Sequence, residues 1–478
     1  MRAKFVQLWR NGDQALVAPR PRARPRAAGA DSSAEDSSGP KSKPLQYSHM
    51  LSLAVVPGGG GLLAAWQAAS VVEGASDQAI YYSLSTDGDG ESFEPPRRAF
   101  KAEGLWAPVL AEVEGTVMLF FAQTPTKCLQ HNADKVWGVR RWIVGGNLHA
   151  SRWDPRRMEW LGPSSVRQMR DEGDVPLVIA NAPVAVEGAA AGGSGGRVWL
   201  LPFFRQAARD GACHREDGVT SAGVLRSVDG GAHWSSHGHI RLAASEGAPG
   251  SNGGELYAIE PTLLPMGNGT LMMLLRTQRD GLAYSSSEDG GVRWSEPARL
   301  WRGVPNADAK PTALSIASAS RGEFARTLLL INNDHPRLRL PNATLSGQRE
   351  RLTLHAARDG DPDRWATVAV VDRELAEWTA DGGGFDGLPD HGGRSSGAVA
   401  GVPVRTHYAC AVELPGREAL LVGFSRTYAS WTAAADAAPF QARHDGLWIM
   451  TLSTKRIERA LAEQERPSAP ASIFESHV

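Results

Sequence analysis

Several side chains in this 478-residue chain are of types that hold anions or move protons, and each stands at the end of an apolar segment. Glu260 opens E-P-T-L-L-P, and Arg276 closes the return run sixteen residues later in L-L-R-T. Tyr408 opens Y-A-C-A-V-E-L, His49 precedes M-L-S-L-A-V, and Trp106 precedes A-P-V-L-A. Asp77 ends E-G-A-S-D, with Glu73 at its head as an alternative, and Arg349 lies in Q-R-E-R-L-T-L with Arg351 as its competitor. A positioned carboxylate can exchange protons with a reacting group, and a guanidinium fork grips a carboxylate at two points. Taken singly, each residue also has a structural reading. A strand-end arginine usually pairs with an acid, and a strand tyrosine is half-buried with its hydroxyl at the edge. Asp77 fits an Asx turn, Glu260 a solvated strand-entry charge, and His49 a satisfied structural histidine.

Other signals carry less. Gly192 to Gly196 satisfies the G-x-S-x-G pattern, but it falls in a hairpin turn where a nucleophile elbow needs a strand-to-helix step. Lys135 to Trp142 interleaves bases with tryptophans as a nucleic-acid surface does. With 51 basic against 52 acidic side chains and a net charge of -1, however, the chain has no global field for nucleic acid or an anionic membrane. A rim loop with sugar-stacking tryptophans fits that stretch equally well. There is no metal-ligand spacing and no phosphate-binding glycine loop, so neither a metal nor another cofactor is expected. Cys128, Cys213 and Cys410 are odd in number and far apart, which reads as buried small hydrophobes and not as a disulfide framework.

The elements that must position these residues come from one repeated pattern: an apolar run, a glycine-containing turn, then a second apolar run. It appears at 50–66, 107–121, 182–203, 261–276, 311–332 and 408–424, which predicts six β-hairpins. Most are followed by a second signature of Ser, Asp, Gly and an aromatic. It is complete at Ser227–Trp234 and Ser287–Trp294, and worn at Ser85–Phe93, Ser151–Trp160 and Ala357–Trp365. The sixth hairpin is followed only by His444-Asp445-Gly446-Leu447-Trp448. Such a signature is a turn: Asp and Ser cap backbone N–H groups, Gly supplies positive φ, and the aromatic anchors the turn in neighbouring packing. Repetition at about 70 residues implies an all-β fold, a six-bladed β-propeller of four-stranded antiparallel blades with Asp-box turns.

On these hairpins and Asp boxes the chain resembles the sialidase superfamily, in its BNR/Asp-box propellers, over roughly residues 46–452. The resemblance implies an exo-glycosidase site at the central cavity and a glycan partner. In that family three arginines grip the substrate carboxylate, a Tyr paired with a Glu is the nucleophile, and an Asp is the acid/base. A neutral Tyr suits a sugar that carries a carboxylate at the anomeric carbon, because a carboxylate nucleophile would be repelled. Carried over by motif, Tyr408 resembles the nucleophile, Glu260 its partner, Asp77 the acid/base, and Arg276 and Arg349 the second and third arginines. Where many members begin blade one with Arg-Ile-Pro, this chain has Ser48-His49-Met50, so His49 stands in for the first arginine. Histidine is a single donor, charged only when protonated. A branch of Asp-box proteins resembles this chain in starting with His and continuing with E-G-x-x-D. The alternatives are a glycosidase for a different terminal sugar and a catalytically silent propeller that binds glycan or protein.

Blade geometry tests the placement independently. The start of strand one, the end of strand two and the start of strand three share one rim of an antiparallel blade, and the turn between strands three and four lies on the other. His49, Glu260, Tyr408, Arg276, Asp77 and Arg349 all map to the first rim, with Trp106, Asn181 and Lys310 as further strand-one entries there. The Asp boxes map to the opposite rim.

The chain's ends differ from its middle. Residues 1–44 are expected as a flexible arm, because Pro19 to Pro44 holds almost no large apolar residue. The propeller is expected over 45–452, and a short helix from Lys455 to Arg466 with a tail over 453–478. The Gly- and Asp-rich stretch 381–401 reads as a mobile insertion. No apolar run reaches the ~18 residues of a membrane span, and no secretory leader is evident. This favours a cytoplasmic or organellar location over secretion, although Asn268 and Asn342 would be glycosylation acceptors in a secreted chain.

Overall fold

The computed structural model describes residues 3–10, 44–85, 87–130, 132–133, 138–188, 196–207, 213, 218–242, 257–277, 281–295, 299–301, 304–317, 326–334, 349, 351–358, 364–380, 404–414, 416–428 and 446–465. The predicted loop 381–401, the stretch 135–137 and Asn342 lie outside the described residues.

Six antiparallel sheets form a six-bladed propeller, and each expected hairpin supplies the first two strands of one blade. Blade I is Tyr47–Val55, Leu62–Ala69, Ala79–Ser85 and Arg97–Arg98; blade II is Leu105–Val113, Thr116–Gln123, Asn147–Asp154 and Ser164–Arg167. Blade III splits its first strand into Leu177–Ile179 and Val184–Gly188, followed by Gly196–Arg205, Ser221–Ser227 and Ser235–Ile240. Blade IV runs Ala258–Pro265, Leu271–Thr277, Leu282–Ser287 and Arg299–Trp301, and blade V Thr312–Ala317, Arg326–Asn333, Leu352–Arg358 and Ala366–Val370. Blade VI takes Val404–Leu414, Ala419–Tyr428 and Gly446–Ser453. Its second strands read as continuous apolar runs because neighbouring blades cover both faces. Trp66, Phe120, Phe121, Phe203, Phe424 and Trp448 are fully buried in this way.

The fourth strand of blade VI corrects the expected N-terminal arm. Lys4–Arg10 pairs antiparallel with Gly446–Ser453 and buries Phe5 and Trp9, so the chain's start closes the ring. The alternation in K-F-V-Q-L-W-R carried that signal, but the polar composition after it masked it. Residues 11–43 lie outside the described residues. After the sixth hairpin, where the sequence has only His444 to Trp448, Gly446 to Trp448 begin a third strand and Trp448 packs within the sheet.

In blades I, III and IV the box works as a structural turn. Ser227 Oγ donates to Asp229 Oδ1 at 2.8 Å, Asp229 Oδ1 accepts the His233 N–H at 2.9 Å, and Trp234 Nε1 donates to Gly231 O at 3.0 Å. Ser287, Asp289 and Trp294 repeat the pattern, and Asp87 does so in part.

Two helices follow third or fourth strands. Val371–Ala380 was not expected; Thr454–Glu465 stands where the C-terminal helix was, with Ile457 and Leu461 buried. No helix among the described residues is long and apolar enough to cross a membrane. The cysteine reading is overturned. Cys128 and Cys213 form a disulfide across 85 residues with Cα atoms 5.3 Å apart, within the usual bridging range. They follow second strands of adjacent blades, so both lie on the rim that carries the candidate residues.

Candidate active site

A shared backbone device opens the first strands toward the propeller axis. Met50, Ala107, Glu260 and Tyr408 adopt φ of 58°, 50°, 48° and 56°, and the strand register slips beside each one. A bulge with one residue in the left-handed region re-aims side chains, at roughly 1–3 kcal/mol for a non-glycine residue. Glu260 and Tyr408 are therefore the bulge residues themselves, held out of the normal strand alternation.

The two meet across the axis. Tyr408 Oη donates to Glu260 Oε1 at 2.8 Å, and Arg276 Nη1 donates to Glu260 Oε2 at 3.0 Å and to Tyr408 Oη at 2.7 Å. All three are buried. Arg276 Nε donates to Asp308 Oδ1 at 2.8 Å, and Tyr257 Oη donates to the same carboxylate at 2.9 Å. The guanidinium thus lies between two carboxylates. Burial alone would lower its pKa, but Glu260, the Tyr408 phenol and Asp308 hold it charged, well above its ordinary value. Among the described residues its hydrogen bonds are made by Nε and Nη1. Burial dominates at Tyr408 and raises its phenol pKa, with Arg276 and Arg349 opposing and Glu260 adding to the rise.

Arg349 reaches the same group. Its guanidinium carbon lies 4.9 Å from the Tyr408 ring centroid. Arg351 does not: it is largely exposed and 4.0 Å from Asp334. His49 stacks obliquely on Tyr408 with centroids 4.2 Å apart, and its Nδ1 lies 2.9 Å from Ser425 Oγ. Burial first, then Arg349, Lys310 and Arg276, push its pKa well below the ordinary histidine value. His49 is therefore a neutral ring where the resemblance implies an arginine.

Lys310 closes the axis beneath these groups. Its Nζ donates to Ala409 O at 2.7 Å, Thr312 Oγ1 at 3.0 Å, and Ala180 O and Asn181 Oδ1 at 3.2 Å each, tying blades III, V and VI together. Burial lowers its pKa to about 8, against the opposing pull of Cys410 and Glu260.

Blade I contributes the Glu73–Asp77 turn. Asp77 lies half-buried, with both carboxylate oxygens 3.3 Å from the Ser70 N–H. No contact from Asp77 to Tyr408, Glu260 or the two arginines is found among the described residues. Glu73 is electrostatically coupled to Arg349, Glu260 and Tyr408, and its Oε1 accepts from Gln67 Nε2 at 3.0 Å. Burial raises its pKa, although Tyr47, Arg349 and Arg141 oppose the rise.

Trp106 sits behind this turn, away from solvent, donating Nε1 to Thr124 Oγ1 at 2.8 Å. Its ring would lie 3.0 Å from a Cβ at Gly74, where φ is also +77°, so only glycine fits there. The blade II loop clamps the turn from outside. Trp142 N donates to Gly74 O at 2.6 Å, Trp142 Nε1 to Ser76 O at 3.0 Å, and Arg141 Nε to Glu73 O at 3.1 Å.

Asp308, Tyr257, Gln67 and Ser425 were not singled out in the sequence. Asp308 carried one signal, its place two residues before the strand-one entry Lys310. Among the described residues no group of three or more His, Cys, Asp or Glu could hold a metal ion.

A family profile described as a BNR repeat-like domain matches residues 60–381. A search of curated protein sequences finds no match. Among solved structures, the chain is similar to the Hadza microbial sialidase Hz136, with 15% identity, a TM-score of 0.53, and coverage of 85% of this chain and 66% of that one. It is similar to a Dyadobacter fermentans protein of unknown function, with 14% identity, a TM-score of 0.54, and coverage of 95% and 98%. It is also similar to Trypanosoma rangeli sialidase, with 13% identity, a TM-score of 0.52, and coverage of 94% of this chain and 59% of that one. The chain thus spans less than two thirds of both sialidases, and at these identities the likeness is one of fold.

Proposed function

The chain belongs to the BNR repeat-like domain family, and from that premise we propose that it is a sialidase-like, retaining exo-glycosidase acting on a terminal acidic sugar. The observation that carries this reading is the Tyr408–Glu260 hydrogen bond of 2.8 Å, capped by Arg276 on both partners. Glu260 takes the phenol proton as Tyr408 Oη attacks the anomeric carbon. An acid from the Glu73–Asp77 turn protonates the leaving oxygen, and water then releases the sugar with retention. Arg349 and Arg276 hold the substrate carboxylate. His49 takes the third position as a neutral donor, so the grip carries one full charge fewer than a three-arginine site.

That substitution favours one alternative, a glycosidase for a different terminal sugar, bound mainly through hydroxyls. The test is a panel of fluorogenic terminal glycosides, including a sialoside, with wild type and Tyr408→Phe. The expected result is turnover of an acidic glycoside that the variant loses by more than ~100-fold, with the melting temperature preserved. Turnover that survives Tyr408→Phe, or its absence across the panel, refutes the reading.

A further inference from the structure

Resting on the glycosidase reading, we propose that Glu73 is the acid/base of this site and that Asp77 is a turn residue that positions it. A general acid has to face the bond being broken and hold a proton until the leaving oxygen needs it. Glu73 is tied through Gln67 to the blade II bulge at Ala107 and interacts electrostatically with Tyr408, Glu260 and Arg349, whereas both carboxylate oxygens of Asp77 lie against the Ser70 N–H.

Four contacts fix its direction. Ala107 N donates to Gln67 Oε1 at 2.8 Å, which sets the amide so that Nε2 faces Glu73 Oε1 at 3.0 Å. Arg141 Nε holds the Glu73 carbonyl, and Trp142 holds the Gly74 carbonyl. The backbone is therefore anchored on both sides of the tight turn that presents the side chain. Burial, with a smaller push from the Glu260 carboxylate, raises the Glu73 pKa, against the Tyr47 hydroxyl, Arg349 and Arg141. Asp77 points back into its own turn, spanning the Ser70 N–H with both oxygens. That is the geometry of a side chain capping a chain reversal.

In the first step the Glu73 proton moves to the glycosidic oxygen as its bond to the anomeric carbon breaks, the Tyr408 oxygen bonds to that carbon, and Glu260 accepts the phenol proton. In the second step the Glu73 carboxylate takes a proton from water as the water oxygen bonds to the same carbon. The bond to Tyr408 breaks in the same displacement, and Glu260 returns the proton to the phenol. Charge and protons balance over the cycle, and no co-reactant besides water is needed.

The experiment measures kcat/KM of wild type, Glu73→Gln and Asp77→Asn on two substrates with the same acidic sugar, one with an aryl leaving group and one linked to a second sugar. An aryl oxide leaves without a proton; a sugar alkoxide does not. Glu73→Gln is expected to lose ~10²–10⁴-fold on the sugar-linked substrate and less than ~10-fold on the aryl one, and to lose the basic limb of its pH profile. Azide, which needs no general base, should restore release in Glu73→Ala and give the sugar azide. Asp77→Asn should lower both substrates by a common factor, in step with any fall in melting temperature. A leaving-group-dependent loss in Asp77→Asn with none in Glu73→Gln overturns the assignment while leaving the glycosidase reading intact. A wild type inactive on both substrates overturns both.

Discussion

Asp308 offers the sharpest test of how the site is held, because its carboxylate touches Arg276 and nothing in the proposed chemistry requires it to touch substrate. Arg276 Nε donates to it at 2.8 Å and Tyr257 Oη at 2.9 Å, and both charged side chains are nearly enclosed, at 11% and 13% side-chain exposure. Removing one partner of a buried ion pair costs about 3–5 kcal/mol when the other charge is stranded. Arg276 is not stranded, since Glu260 remains at 3.0 Å, and asparagine still offers an oxygen to Nε. Asp308→Asn is therefore expected to cost about 2 kcal/mol, the difference between a charge-assisted and a neutral hydrogen bond plus part of the lost pairing. At about 1.4 kcal/mol per factor of ten, kcat/KM should fall about 30-fold, chiefly through KM because Arg276 would hold the ground-state carboxylate. The melting temperature should fall by about 4 °C, at about 2 °C per kcal/mol for a large domain. Tyr257→Phe alone removes one hydrogen bond, about 1 kcal/mol, and should cost less than that once Asp308 is Asn, because the hydroxyl then loses only a bond to a neutral amide oxygen. The assay is thermal unfolding with steady-state kinetics on all four members of this cycle. Additive losses, or Asp308→Asn with kcat/KM within threefold of wild type, would refute the claim that this carboxylate sets Arg276.

Two further outcomes follow from the buried groups. Lys310 has a folded pKa near 8 against an ordinary 10.5, so the unfolded chain binds its proton more tightly. Its burial therefore costs stability below pH about 8, a cost relieved as pH rises toward 10.5; over that 2.5-unit gap the wild type should gain up to about 3 kcal/mol relative to Lys310→Met. Denaturant titrations from pH 7 to 10 read this, and a difference that does not move with pH overturns it. The Cys128–Cys213 bridge predicts one reactive thiol, Cys410, per chain in denaturant without reductant, and three after reduction. The doubly substituted Cys128→Ser, Cys213→Ser protein should lose about 2–4 kcal/mol, and three thiols in the unreduced wild type would exclude the bridge.

What the sequence revealed divides by distance along the chain. The hairpins were legible because each joins two apolar runs through its own glycine turn, and the complete Asp boxes because their hydrogen bonds close within six residues. Glu260 and Arg276 were visible together because one hairpin carries both ends of that ion pair. The ring closure was not, because Lys4–Arg10 finds its partner at the far end of the chain and isolated alternation over seven residues does not say what it pairs with. Asp308 stayed hidden for a similar reason: its arginine belongs to the preceding blade, 32 residues away. The disulfide could have been anticipated. Cys128 and Cys213 occupy equivalent loops of consecutive blades, and a separation of 85 residues is close to the repeat spacing, so blade geometry brings them to one rim where cysteine counting alone did not.

The bulges are the part that residue types conceal. Glycine announces a positive φ, whereas Met50, Ala107, Glu260 and Tyr408 adopt one with no compositional cue. Such strain persists only where surrounding structure over-determines it, and here four blades impose it at the same strand position. Two of the four, Met50 and Ala107, carry apolar side chains into the core, so the bulge belongs to the scaffold before it belongs to any chemistry. The other two carry the carboxylate and the phenol. A blade architecture that already bulges at this position in four first strands needs only the right side chain at two of them to make a proton-exchanging pair. His49, one residue before the blade I bulge, shows the converse: the same scaffold accepts a neutral ring at a position where the resemblance implies a cation, and burial first, then Arg349, Lys310 and Arg276, hold its pKa down.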